Sequence, residues 1–125
     1  MVKKRVFVSF DFDNDEALKH LIIGQARLDD SPFEVYDCSM KEAAPITFWE
    51  KEAEQRINRC DVVIVMVGKH TYRAPGVLKE VSMARRLQKP IFQIIGCKNG
   101  AYTSVPNAGQ LYSWNWDNLK KLLGG

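Results

Sequence analysis

Few side chains in this sequence could do chemistry, and the acids stand out by position. Asp11 and Asp13 follow directly on a short apolar run, Arg5-Val-Phe-Val-Ser-Phe10, with Phe12 between them. Glu80 stands twelve residues after Gly68, which closes the unbroken apolar run Val62-Val-Ile-Val-Met-Val67. An acidic pair after a first strand is half of a phospho-accepting site; the other half is an Asp at the carboxyl end of the third strand. Here that end is Met66-Val67-Gly68. Asp61 lies at the opposite end, roughly 20 Å away at about 3.3 Å per strand residue. Phosphorylation of that kind is excluded. An acid on the helix that follows a buried strand has another use. It lies over the carboxyl edge of the sheet, where open α/β proteins form ligand sites.

The other reactive types are less well placed. Cys38 would need a base to act as a nucleophile, and no His stands at a recognisable spacing. His20 and His70 have no second ligand at metal-type spacing, so no metal site is expected. Cys38, Cys60 and Cys97 are odd in number and form no C-x-x-C, which reads as three free thiols in a reducing cytoplasm. No G-x-G-x-x-G follows the first strand and no P-loop pattern exists, so neither nucleotide motif is present.

The elements that must position these acids follow from periodicity. Val62–Val67, β-branched at five of six positions, reads as a central strand buried on both faces. Residues 5–10 form the first strand, 33–36 a second, edge-like one, 90–95 a fourth, and 112–114 a short last one. Helices fill the gaps. Leu18, Leu21, Ile22 and Leu28 mark one apolar face; Trp49, Ala53 and Ile57 a second; Val77, Val81, Ala84 and Leu87 a third. A closing helix, 117–123, carries Leu119, Leu122 and Leu123. Asp13 with Glu16, and Thr47 with Glu50, have capping-box spacing. Pro75 suits a first helical turn, and Lys98-Asn99-Gly100 signals a turn. Glu80, one position before Val81 and so about 100° from it, is placed at the border of the buried face. Alternating strands and helices argue for a parallel sheet covered on both faces, with right-handed crossovers.

Bulk properties agree with one compact domain over residues 1–125. The chain has 125 residues, 46% hydrophobic, with net charge +3. The mild charge is scattered and leaves no nucleic-acid footprint. No apolar run could span a membrane. Lys3, Lys4 and Arg5 lead into a strand rather than a signal-peptide core, which places the protein in the cytoplasm.

Three stretches resemble the Toll/interleukin-1 receptor (TIR) domain family. Val6-Phe-Val-Ser-Phe-Asp11 is similar to the family's opening strand and loop, and Asp61 to Gly68 to its third strand. Gly68 to Val81 is similar to the segment that ends in its functional glutamate. The likeness covers roughly residues 4–96 and is nearest to the TIR-like group that includes antiphage Thoeris sensor proteins. It implies a flavodoxin-like three-layer α/β/α sandwich with a five-stranded parallel sheet, order 2-1-3-4-5.

The resemblance also implies NAD as substrate, with no permanently bound cofactor, and Glu80 as the essential acid. The nucleotide pocket would then draw on Phe10, Asp11 and Phe12 and on the loop from Asp37 to Pro45, with Asp37, Cys38 and Ser39. Where the family often carries Trp, four residues before the glutamate, this chain has Gly76. Breaking the nicotinamide–ribose bond passes through an oxocarbenium-like ribose, which a carboxylate can stabilise or attack. Phe10, Phe12 or Tyr72 could stack on a ring. Capture by water gives ADP-ribose; capture by the substrate's own adenine or ribose gives a cyclic signal. The alternative is a non-enzymatic module that self-associates or docks on a partner effector protein in signalling. Nucleoside or nucleotide N-glycosidic transfer on the same fold is a third reading.

Overall fold

The computed structural model describes residues 3–40, 45–96 and 102–124. Five strands form one sheet: β1 (Lys4–Ser9), β2 (Phe33–Cys38), β3 (Val62–Val67), β4 (Ile91–Ile95) and β5 (Leu111–Ser113). All four pairings are parallel and the order is β2-β1-β3-β4-β5. The helices are α1 (Glu16–Ala26), α2 (Ile46–Asn58), α3 (Pro75–Arg86) and α4 (Trp116–Leu123), with a 3₁₀ turn at Thr71–Arg73. This is the expected three-layer α/β/α sandwich.

Alternation along the strands divides the core between two faces. Val6, Val8, Ile64 and Met66 pack with Ile22 and Ala26 of α1 and Leu119 and Leu123 of α4. Phe7 and Val63 point the other way, against Ala53 and Ile57 of α2 and Met83 and Ala84 of α3. Val65 and Val67 continue that face under Val77 and Val81. Every residue of β3 is buried, as an apolar run between two helical layers requires.

Several boundaries differ from the pattern reading. Neither expected capping box forms: α1 begins at Glu16 with Asp15 as N-cap, α2 begins at Ile46 with Pro45, and neither cap makes a side-chain bond. Acids and hydroxyls near a helix start are worth a cap only in the right turn, and here the loops bend differently. Leu21 and Leu28 are exposed, 58% and 49%, and α1 stops at Ala26. Its buried stripe is Ile22 and Ala26, with Leu18 half-buried. Strand β2 runs two residues further than expected, to Cys38. The Lys98–Gly100 turn and Cys97 lie outside the described residues. Among the described residues no helix is long and apolar enough to cross a membrane.

Candidate functional site

The carboxyl ends of β1, β2 and β3 carry the loops that surround Glu80. Strand β1 ends in Ser9 and continues through Phe10 into a tight turn. Asp11 organises that turn. Its Oδ1 accepts from the Asp13 amide (3.3 Å) and its Oδ2 from Asn14 Nδ2 (2.7 Å), while its carbonyl accepts from the amides of Asn14 and Asp15. Beyond β3, the Gly68 amide donates to Thr71 Oγ1 (2.7 Å), and that hydroxyl donates to Asp15 Oδ2 (3.2 Å). The loops after β1 and β3 are thereby tied together. Gly68 leaves space for the Asp15 carboxylate: a Cβ there would press on it and force that side chain to shift. Burial pushes the Asp15 carboxyl above its ordinary range; Thr71 pulls it down, Asp11 adds to the rise and His70 opposes it.

Helix α3 starts over this edge. Pro75 occupies its first turn, where a missing amide costs nothing, and Ala74 caps it without a side-chain bond. Val77, Glu80, Val81, Met83 and Ala84 are its buried residues. Glu80 is therefore inside the buried face and not at its border: it is 1% exposed. The expected position came from its 100° offset from Val81. Its relation to Ala84, four residues on and only about 40° round the helix, decides the matter. Glu80 Oε1 accepts from Ser9 Oγ (2.8 Å) and from Ser39 Oγ (2.6 Å).

A cleft of about 290 Å³ opens beside the carboxylate, lined by Phe10 to Asp13, Ser39, Met40, Ala74 to Val77 and Glu80. Larger grooves exist, about 530 Å³ between α2 and α3 and about 460 Å³ near Pro106. They lack what this cleft has: buried polar side chains from separate elements converging at its wall.

The sequence candidates divide accordingly. Glu80, Ser39, Phe10, Asp11 and Phe12 come together on the cleft. Phe10 is 1% exposed and belongs to the core, with Lys19 Nζ over its ring at 5.7 Å. Phe12 is half-buried and stacks on Phe10 at 5.8 Å, so it is the aromatic surface a ligand could reach. Asp37, Cys38 and Tyr72 are not brought to the cleft. Asp37 accepts from Arg56 Nη1 of α2 (2.8 Å). Cys38 packs on the α1 side, and burial pushes its thiol up. Tyr72 packs on the Val65–Val67 side under α3, with Arg73 over its ring. Two-residue alternation from Phe7 could have revealed Ser9, which the sequence reading passed over. Met40 and the first turn of α3 gave no sequence signal beyond Pro75.

A five-stranded parallel sheet of this order, covered by helices on both faces, places the chain among the flavodoxin-like α/β domains. A prokaryotic SEFIR domain, itself TIR-like in fold, is 20% identical over 95% of this chain and 86% of its own, with TM-score 0.53. A 3-dehydroquinate dehydratase-like protein from Bifidobacterium longum is 15% identical over 97% and 91%, with TM-score 0.50. At such identities both show the fold alone. The model of the Thoeris protein ThsB, TIR-like domain, matches residues 7–98, and the chain belongs to that family. No curated protein matches it.

Proposed function

We propose that this protein cleaves NAD at the nicotinamide–ribose bond and releases an ADP-ribose-derived signal, linear or cyclic, as a sensor in cytoplasmic antiphage defence. The observation that carries this is Glu80: a carboxylate 1% exposed, held at the wall of a cleft beside Phe12 and Ser39. A cleft of about 290 Å³ is at the small end of ligand sites. It suits one nucleoside-sized half of a dinucleotide, with the remainder crossing the surrounding loops.

In this reading the C1′–N bond breaks and its electron pair leaves with nicotinamide, whose ring changes from cation to neutral. No acid is needed to protonate it. The ribose becomes oxocarbenium-like, and Glu80 supplies opposing charge. Water then adds at C1′ and loses a proton, or an adenine nitrogen or ribose hydroxyl of the same molecule closes the ring. Phe12 offers a ring face, while Asp11 shapes the loop that carries it.

Membership of the Thoeris ThsB family supports the defence setting. The test is incubation of pure protein with NAD, dilute and concentrated, with mass-spectrometric product analysis. Release of nicotinamide with an ADP-ribose product is expected; intact NAD under every condition defeats the proposal. One observation favours the docking alternative. Phe48 and Ile46, at the start of α2, are 72% and 39% exposed, an apolar surface that a partner could cover.

A further inference from the structure

The geometry points to Ser9 and Ser39 as positioning residues: a two-hydroxyl clamp that fixes the Glu80 carboxylate in one orientation and keeps it charged. The inference rests on Glu80 being the working acid of the cleft. Both hydroxyls are buried, Ser9 at 0% and Ser39 at 6% exposure. They come from separate strands, Ser9 closing β1 and Ser39 following β2. They donate to the same oxygen, Oε1.

Ser39 is bonded on two sides. Its Oγ accepts from the Phe10 amide at 3.0 Å. Against an ionised carboxylate the hydroxyl's one hydrogen goes to Glu80 Oε1. The 2.6 Å separation falls in the range of charge-assisted O–H···O⁻ bonds. The Ser39 amide in turn donates to the Val8 carbonyl at 2.9 Å. The backbone beneath the hydroxyl is thereby fixed to the sheet, and turning the side chain away would break its bond from the Phe10 amide. Two such donors favour the ionised carboxylate and oppose the desolvation that burial imposes.

Among the described residues, the titratable and charged groups around Glu80 belong to four elements. Asp11 and Asp13 share its cleft. Cys38, at the end of β2, feels the charge of both Glu80 and Lys19 of α1. Lys79, its neighbour on α3, reaches towards Glu50 (3.9 Å) and the Trp49 ring (5.6 Å) of α2. The serines are the groups hydrogen-bonded to Oε1.

The test reads the carboxylate directly. In protein carrying ¹³C at the glutamate carboxyl carbons, Glu80 is the resonance lost in Glu80→Gln. In Ser9→Ala and in Ser39→Ala its titration midpoint moves to higher pH while the other glutamates stay put. Ser39→Thr, which keeps the hydroxyl, returns it towards wild type. With NAD as substrate each alanine variant loses roughly tenfold in kcat, as loss of a hydrogen bond to a charged group implies, with KM nearly unchanged. If Ser9→Ala does not fold, Ser39→Ala with Ser39→Thr carries the test alone. An unmoved midpoint overturns the clamp. A moved midpoint with unchanged kcat in an active enzyme overturns the positioning role, as does a fall in melting temperature alone. Midpoints that move in a protein inert towards NAD support the clamp and remove the NAD reading instead.

Discussion

Replacing Glu80 by Gln removes one charge and keeps the shape and an acceptor oxygen. Oε1 takes both serine hydroxyls, and an amide oxygen can take the same two, so neither buried hydroxyl is orphaned. What changes is their strength. A hydrogen bond to a charged group contributes about 1.5–3 kcal/mol and a neutral one about 0.5–1.5. The pair together therefore loses about 2 kcal/mol. Burial acts in the other direction, since a carboxylate costs several kcal/mol more to desolvate than an amide. The opposing terms are similar in size, and the variant should fold within about 2 kcal/mol of wild type. That is a wider window than the about 0.5 kcal/mol of an exposed substitution, because Glu80 is 1% exposed. The chemical step has no compensation. Loss of a preorganised group facing developing charge typically costs about 10²–10³ in kcat. Glu80→Ala is a poorer probe, because it strips the acceptor from two buried hydroxyls. The assay is NAD consumption by chromatography, paired with urea unfolding of both proteins. Turnover within about threefold of wild type refutes the role of the charge. A stability loss above about 4 kcal/mol refutes the compensation.

Four other outcomes follow from the structure. Phe10→Ala should cost about 3–5 kcal/mol in urea unfolding, as loss of a core ring does; Phe12→Ala should cost far less and raise KM for NAD. Equal stability losses would show that the two rings are not divided between core and cleft. Gln93→Leu should destabilise by about 3 kcal/mol, because Gln93 Oε1 pairs the Val105 amide (2.7 Å) and its Nε2 the Gly109 carbonyl (2.8 Å); a loss under about 1 kcal/mol counts against that network. Asp15 has a raised pKa in the folded state, chiefly from burial, so its charge penalises folding at neutral pH and the penalty fades as pH falls through that pKa towards the ordinary value. Asp15→Asn should therefore raise the melting temperature at pH 7 and not at pH 3; a pH-independent effect would falsify this. Burial pushes Cys60 up to about 12 and raises Cys38, so both should resist iodoacetamide at pH 8 in the native protein and react once unfolded, with rapid native labelling of Cys60 as the contrary result.

Pattern reading recovered the elements because strand and helix periods are properties of local sequence. The unbroken run Val62–Val67 could satisfy its six apolar side chains only between two layers. Alternation near Val6 and Val8 divided the two faces of β1 in the same way. The reading did less well where loop geometry decides. Thr47 and Glu50 have capping spacing, yet the chain enters α2 two residues too early, from Pro45. Gly68 does end β3, but its close approach to the Asp15 carboxylate, 53 positions earlier in the chain, has no local signal. No spacing rule reaches that far. The same limit hid Asp37. A loop acid next to a candidate pocket was expected there, and α2 instead offers it Arg56. Ser39 was named for its loop alone; its bond to a residue 41 positions away needed coordinates.

The position of Glu80 bears on the choice between enzyme and docking module. In the order 2-1-3-4-5 the chain leaves β1 towards β2 on one side and returns to β3 on the other. Right-handed crossovers then put α1 on one face of the sheet and α2 and α3 on the opposite face. The connections after β1 and β3 lead to opposite faces of the sheet, and at the carboxyl edge the cleft opens between the loop after β1, the end of β2 and the first turns of α3. Helix α3 delivers Glu80 to this cleft, while Ser9 and Ser39 meet it from strands that the ladder holds rigid. A docking surface gains little from a carboxylate that solvent hardly touches, because burying a charge costs several kcal/mol and a partner cannot reach it. A reaction with a cationic transition state gains a great deal, because the charge is fixed in place before the substrate arrives and need not reorganise. The exposed Phe48 and Ile46 could serve assembly beside this chemistry, but they give no reason for a buried acid. The cost of burying Glu80 finds its use in the cleft, and this favours the enzyme.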